Sequence, residues 1–214
     1  AAPRTPEKTI ASITDAERSA LAFQGWNLDF HLIPQKSFLD ARSRFTVRNT
    51  SSAPLTRIVL QISSTLHWNS ITSGANLAKL PFTEHTLATD ADHTGQATEA
   101  VLTLPHPLAP NATLDLTALY SGAIPASGQR LTRIGAPSEQ AAHADWDQIA
   151  PDVVALRGFG NVLWYPVSSP PLFLGDGAKH DRFNAYLEKQ GIIDQKRIDA
   201  VTLLENLDAI VAEA

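Results

Sequence analysis

Between residues 26 and 120, apolar and polar side chains alternate with a period of two, and this pattern limits what the chain can fold into. Successive side chains on a strand point to opposite faces, so the alternation buries one face and solvates the other. Ala41, Ser43, Phe45 and Val47 interleave with Arg42, Arg44, Thr46 and Arg48. Leu28, Phe30 and Leu32 alternate with Asp29 and His31 until Pro34 stops the run. Residues 49–54 are turn chemistry, and the aliphatic, β-branched run 55–62 follows. Further strands are predicted at 66–71, 77–81, 85–89, 97–104 and 114–120, separated by Gly, Pro, Asn and Asp. Short strands at short spacing predict a mainly β fold of antiparallel sandwich or saddle-like sheets.

The two ends read differently. In residues 7–23, Ile10, Ile13, Ala16, Ala20 and Leu21 fall at roughly helical spacing, Thr14 or Asp15 is a cap, and Gly25 is read as the stop. This gives a short N-terminal helical lead over residues 1–25 and a β domain over residues 26–177. Residues 138–144 suggest a short helical turn within a looser stretch. Residues 179–190 and 194–211 lack proline, and Ile198, Val201, Leu204, Leu207 and Val211 share one helical face, so residues 178–214 read as a C-terminal helical tail.

Charge and composition exclude several functions. With 22 acidic against 17 basic residues the net charge is −5, which argues against nucleic acid or an anionic membrane surface as partner. No apolar run is long enough for a membrane span. The absence of cysteine removes disulfides, thiol nucleophiles and cysteine-ligated zinc. Methionine is absent even at position 1, and Ala1-Ala2-Pro3 would suit the mature end left by a signal peptide, so export to the periplasm or outside the cell is the expectation.

Catalytic motifs were tested against simpler readings. A His-Glu-x-x-His zinc helix is missing, and no two of the seven histidines lie three or four apart. The strained Gly-x-Ser-x-Gly elbow is missing too, and Gly158-Phe159-Gly160 is half of a dinucleotide fingerprint or simply a tight turn. In the loop from Asp90 to Gly95, Asp90 and Asp92 mimic the opening of a calcium loop. Val101 stands where a bidentate glutamate belongs, although Glu99 is near enough to substitute. The competing reading is a hydrogen-bonded turn between strands. Asp145 and Asp147 flank Trp146 as a carboxylate pair or as an ordinary acidic loop. Asn49-Thr50-Ser51 and Asn111-Ala112-Thr113 match the glycosylation sequon, which marks surface loops. Trp68 and Trp164 read as core. No catalytic residue, metal ligand or cofactor emerges.

The order of several motifs carries a resemblance. Leu104-Pro105-His106-Pro107-Leu108 and its polar turn are followed by a strand ending in Tyr120-Ser121-Gly122, and Trp164-Tyr165-Pro166 precedes Pro170-Pro171. With the strands from Leu28 onward, this resembles the non-catalytic amino-terminal β domain of aminopeptidase N-like (gluzincin) zinc metallopeptidases over about residues 26–175. The resemblance implies a structural domain that walls a peptide cleft beside a following catalytic domain, lacks the zinc site itself and is not an enzyme. Arg157, Phe159, Trp164 and Tyr165 are the expected binding surface. The alternatives are a freestanding secreted module for carbohydrate or protein, with Trp26, Trp146 or Trp164 as platform, and an unmarked hydrolase.

The apolar stripe of the tail needs burial, against the β body or through self-association of the C-terminal helices. Deleting residues 178–214 is therefore expected to lower the melting temperature or change the elution volume in size-exclusion chromatography. An unchanged value of both would remove this role.

Overall fold

The computed structural model describes residues 12–144, 147–158 and 162–175. Within them the chain is mainly β, as the alternation predicts. The C-terminal tail lies outside the described residues.

A five-stranded antiparallel sheet runs in the order β1 (Leu21–Ile33), β2 (Phe38–Asn49), β8 (Thr113–Ala123), β4 (Leu66–Ser73), β5 (Ala78–Lys79). A three-stranded sheet, β3 (Leu55–Ser63), β7 (Gln96–Leu108) and β6 (Phe82–Ala88), packs on it. Their facing residues form one core. Leu39, Ala41, Phe45 and Val47 of β2 and Leu116, Ala118 and Tyr120 of β8 meet Ile58, Leu60 and Ile62 of β3 and Ala100 and Leu102 of β7. Each fully buried aliphatic or aromatic side chain there contributes about 1.5–3 kcal/mol. Two short helices, α2 (Gln129–Arg133) and α3 (Ser138–Ala142), and a hairpin of β9 (Gln148–Ile149) and β10 (Val154–Ala155) follow the strands.

The N-terminal helix is much shorter than its spacing predicts. Among the described residues, α1 covers only Asp15–Arg18, opened by a capping box in which Thr14 and Glu17 satisfy each other's backbone N–H. β1 starts at Leu21, so Leu21 and Phe23 are strand residues. Gly25 is not a helix stop. It takes φ +59 in a β-bulge, and the pairing slips there from Gln24↔Thr46 to Trp26↔Phe45. One extra residue keeps Phe23, Trp26, Leu28 and Phe30 on the core face of a single strand, although their numbering changes from odd to even. In the predicted strand 77–81 only Ala78–Lys79 pair, because Leu77 sits at φ +52 in the β4–β5 turn.

Two polar anchors lie in the core. Tyr120 and Ser43 share a 2.8 Å hydrogen bond between neighbouring strands of the large sheet. Burial pushes the Tyr120 phenol up to about 12, against the downward pull of the Ser43 bond. Asn49, at a sequon, is buried rather than displayed. Its amide nitrogen donates to the Ala53 and Leu108 carbonyls at 2.8 and 2.9 Å, and its oxygen accepts from the Ser51 amide. The residue therefore pins the β2–β3 turn to the end of β7.

Gly122 pairs with Leu39 on one side and Leu66 on the other. A Cβ there would overlap the Thr65 carbonyl oxygen and stand 2.9 Å from the Leu66 Cα, both backbone atoms that cannot swing aside. Gly122→Ala is expected to destabilise the fold by about 1–3 kcal/mol. Urea unfolding measures this, and an unchanged midpoint would show that the strands separate freely at this point.

Candidate binding surface

Three strands cannot cover five, and the uncovered part of the large sheet lies along its edge strand β1. Trp26 and Phe30 lie on the core side of β1 but remain 38% and 41% exposed. The chain returns over them after β10. Tyr165 meets Trp26 edge-on at 5.2 Å between ring centroids, and Trp164 meets Phe30 edge-on at 5.7 Å. Trp164 and Tyr165 contact each other at 4.9 Å, while Phe23 stacks on Trp26 at 5.0 Å. An aromatic row therefore runs along the edge, continuous with the core at Phe45.

The returning segment is held by directed bonds. The Trp164 indole N–H donates to the Arg157 carbonyl at 2.9 Å, and the Tyr165 hydroxyl donates to the Gly158 carbonyl at 2.7 Å. Arg157 itself is bound inward. The buried Asp147 carboxylate accepts from its main-chain N–H at 2.7 Å and from its Nε and Nη2 at 3.0 and 2.7 Å. Thus Arg157, Trp164 and Tyr165 do come together, but as a braced unit in which the guanidinium orders a loop. Phe159, Asp145 and Trp146 lie outside the described residues. Further along, the segment closes the open edge of β3, with Ser63 N–H donating to the Leu163 carbonyl and Gln61 and Val167 exchanging a pair of backbone bonds.

Asp90, Asp92 and Glu99 are buried and are not brought together. Asp92 accepts from the Ser63 hydroxyl at 3.1 Å, the Thr94 N–H at 3.1 Å and hydroxyl at 2.7 Å, and the Leu163 N–H at 2.9 Å. Asp90 pairs with Arg133 of α2 and accepts the Leu174 N–H at 2.7 Å. The hydrogen-bonded turn is what forms, with arginine and main-chain amides in the role a cation would take. Among the described residues no group of three His, Asp or Glu side chains is arranged to hold a metal.

Glu99 organises the far face of the small sheet. Arg18 of α1 binds it through Nε and Nη2, both at 2.8 Å, while Gln61 donates at 2.7 Å and His85 Nε2 lies 2.7 Å away. Gln61 also donates to the Ser169 carbonyl at 2.9 Å. Burial alone would raise this carboxyl, but the Arg18, Gln61 and His85 contacts outweigh it and hold the group below the usual glutamate range. Sequence reasoning missed this cluster because Arg18 and Glu99 are 81 positions apart.

Comparison with known proteins gives a thin result. No family model matches the chain, and no curated protein does. Among solved structures, an M1 zinc metallopeptidase from Deinococcus radiodurans is 23% identical over 51% of this chain, with a TM-score of 0.39. A two-domain M1 zinc metallopeptidase mutant bound to L-arginine is 25% identical over 53% of the chain, also at 0.39. The matches cover 22% and 23% of those chains, and superpositions this loose carry no argument about activity.

The Glu99 cluster makes stability depend on acid. A carboxyl held low in the fold stabilises above its ordinary value of 4.5 and loses that contribution as the pH falls through the lower folded value. Thermal melts should therefore drop steeply below that range. Glu99→Gln should flatten the drop and cost about 3 kcal/mol at neutral pH by removing the buried carboxylate from the Arg18 guanidinium and leaving it only the exposed Asp15 as an acidic partner. Equal acid limbs in the two proteins would show that the cluster is not the acid-sensitive element.

Proposed function

We propose that the chain is a peptidase-associated β domain of an exported aminopeptidase N-like metallopeptidase, non-catalytic itself, which packs against a catalytic neighbour and walls its peptide cleft. The carrying observation is the aromatic row at the edge of the fold, in which Trp26 and Phe30 are exposed and Trp164 and Tyr165 half-buried. Aromatic side chains that are rigid and half-buried suit the centre of a protein interface. The motif order that ends in Tyr120-x-Gly122 supports the family, and Gly122 owes its place to a close approach of two strands.

The same geometry ranks the alternatives. Stacking on a sugar calls for flat, open ring faces. Three of the contacts here are edge-on, at interplanar angles of 77° to 83°, so the rings present edges to one another and their polar atoms are already used. Packing against protein fits this arrangement better than a carbohydrate platform does. The hydrolase alternative has no nucleophile and base brought together on this surface among the described residues.

The test uses the purified chain and a zinc aminopeptidase domain encoded in the same reading frame or operon. The two should form a stoichiometric complex in analytical ultracentrifugation, and Trp26→Ser or Phe30→Ser should weaken it about tenfold, as loss of an interface anchor does. The chain alone should release no amino acid from aminoacyl anilides with or without zinc. Turnover by the isolated chain would overturn the non-catalytic reading, and sugar-dependent quenching of its tryptophan fluorescence would favour the carbohydrate module.

A further inference from the structure

The face of the large sheet turned away from the core holds a groove of about 570 Å³, within the range that suits a small ligand. β2 and β8 form its floor. The bulged segment of β1 around Asn27 walls one side, and the β4–β5 turn at Leu77 walls the other. Its lining also includes Trp26 and Phe45, where the aromatic row meets the core.

Three charges line this groove. Arg42 and Arg44 project from the outward face of β2, both exposed, and neither makes a hydrogen bond or ion pair with another described side chain. Arg44 stands between Asn27 and Thr117 on the neighbouring strands. Asp115 is the third charge. It lies opposite Thr46, whose hydroxyl donates to it at 2.6 Å, and Thr46 is two positions along β2 from Arg44. Asp115 is therefore the diagonal cross-strand neighbour of Arg44, at a backbone spacing of about 7–8 Å. Asp29, directly opposite Arg42, adds a further negative charge outside the groove lining.

A simple anion does not fit that arrangement. Two guanidiniums favour an oxyanion through charge-assisted, forked hydrogen bonds. A second anionic group reaching one strand repeat further would meet the Asp115 carboxylate and be repelled. A cation there would be attracted, and the exposed Leu77 offers an apolar wall for the carbon chain between the two ends.

We infer that this groove binds a small zwitterion, its carboxylate on Arg42 and Arg44 and its ammonium on Asp115, with the two groups about one strand repeat apart. An ω-amino acid or a whole dipeptide carries such a pair. The groove shares Trp26 with the aromatic row, but its charged groups do not belong to that row, so changes at Arg44 and Asp115 test this site separately from the packing role.

Calorimetric or NMR titration of the full chain with 5-aminopentanoate, pentanoate and glutarate tests this. These probes share a five-carbon backbone and differ in whether the far end is cationic, neutral or anionic. The expected order of affinity is 5-aminopentanoate, then pentanoate, then glutarate, with the first binding about fivefold tighter than the second, the scale of one exposed ion pair. Arg44→Gln should abolish binding of all three. Asp115→Asn should equalise 5-aminopentanoate and pentanoate and improve glutarate, a gain that general damage to the fold would not produce. Both residues are exposed, so circular dichroism and melting temperature should match the parent chain. Tightest binding by glutarate, equal binding of the three probes, insensitivity to Arg44→Gln, or no binding at millimolar concentration would each overturn the inference.

Discussion

The mismatch between a three-stranded and a five-stranded sheet governs the rest of the structure. The small sheet can seal only the middle of the large one, so the core side of β1 would face water if nothing else covered it. Burying an aromatic side chain stabilises by kilocalories, and leaving a row of them open forfeits that gain. The described residues of the returning segment, 156–158 and 162–167, cover them in part, with Leu156, Val162 and Trp164 packed on the core. Because one segment both caps β1 and pairs with the edge of β3, the two sheets are tied together at the side where they fit least well.

Segments without regular secondary structure must be held by other means, and here buried carboxylates do so. Asp92 fixes Leu163, Asp90 fixes Leu174 and α2, Asp147 fixes Arg157, and Glu99 fixes α1 and, through Gln61, Ser169. Each is a buried acid that meets a guanidinium or several N–H groups, the condition under which a charge is tolerated away from water. The loop that resembles a calcium site in sequence is one of these devices. Alternating aspartates before a glycine supply oxygen ligands, and oxygens accept from amides and arginine as readily as they bind a metal.

Local pattern made the strands legible, and distance hid the rest. β2 and β8 follow from alternation because each has one face in the core, and β3 follows from its aliphatic run, which is buried on both faces. The start of β1 was concealed by its bulge: Leu21 and Phe23 share a face with Trp26, Leu28 and Phe30 only if one residue is skipped at Gly25. Read without that slip, Ala16, Ala20 and Leu21 mimic a helical spacing behind a genuine helix cap. The sequence places Arg157 beside Trp164 and Tyr165, and the structure joins all three, yet nothing near Arg157 announces that its charge is spent on Asp147. Glu99 was noticed for its charge and misjudged for its use, since its partner lies in another element far along the chain.

The alternation that builds the core also fixes what the opposite face offers. Residues 41, 43, 45 and 47 can be inside only if 42, 44, 46 and 48 are outside, and a slip of one residue would drive three arginines into the core. Ionised guanidiniums cannot be buried there without partners, so their presence enforces the register that Phe45 and Val47 favour. The outer charges therefore have a structural reason to exist before any ligand is considered. Register requires only that these positions be polar, and mixed charges close enough to neutralise one another would satisfy it. Arg42 and Arg44 make no hydrogen bond or ion pair with another described side chain, and Asp115 is turned to a threonine, in a part of that face walled on both sides. Asp29 stands opposite Arg42, so what goes beyond the needs of register is the walling of Arg44 and Asp115 into one groove, and that separates a site from a solvated surface.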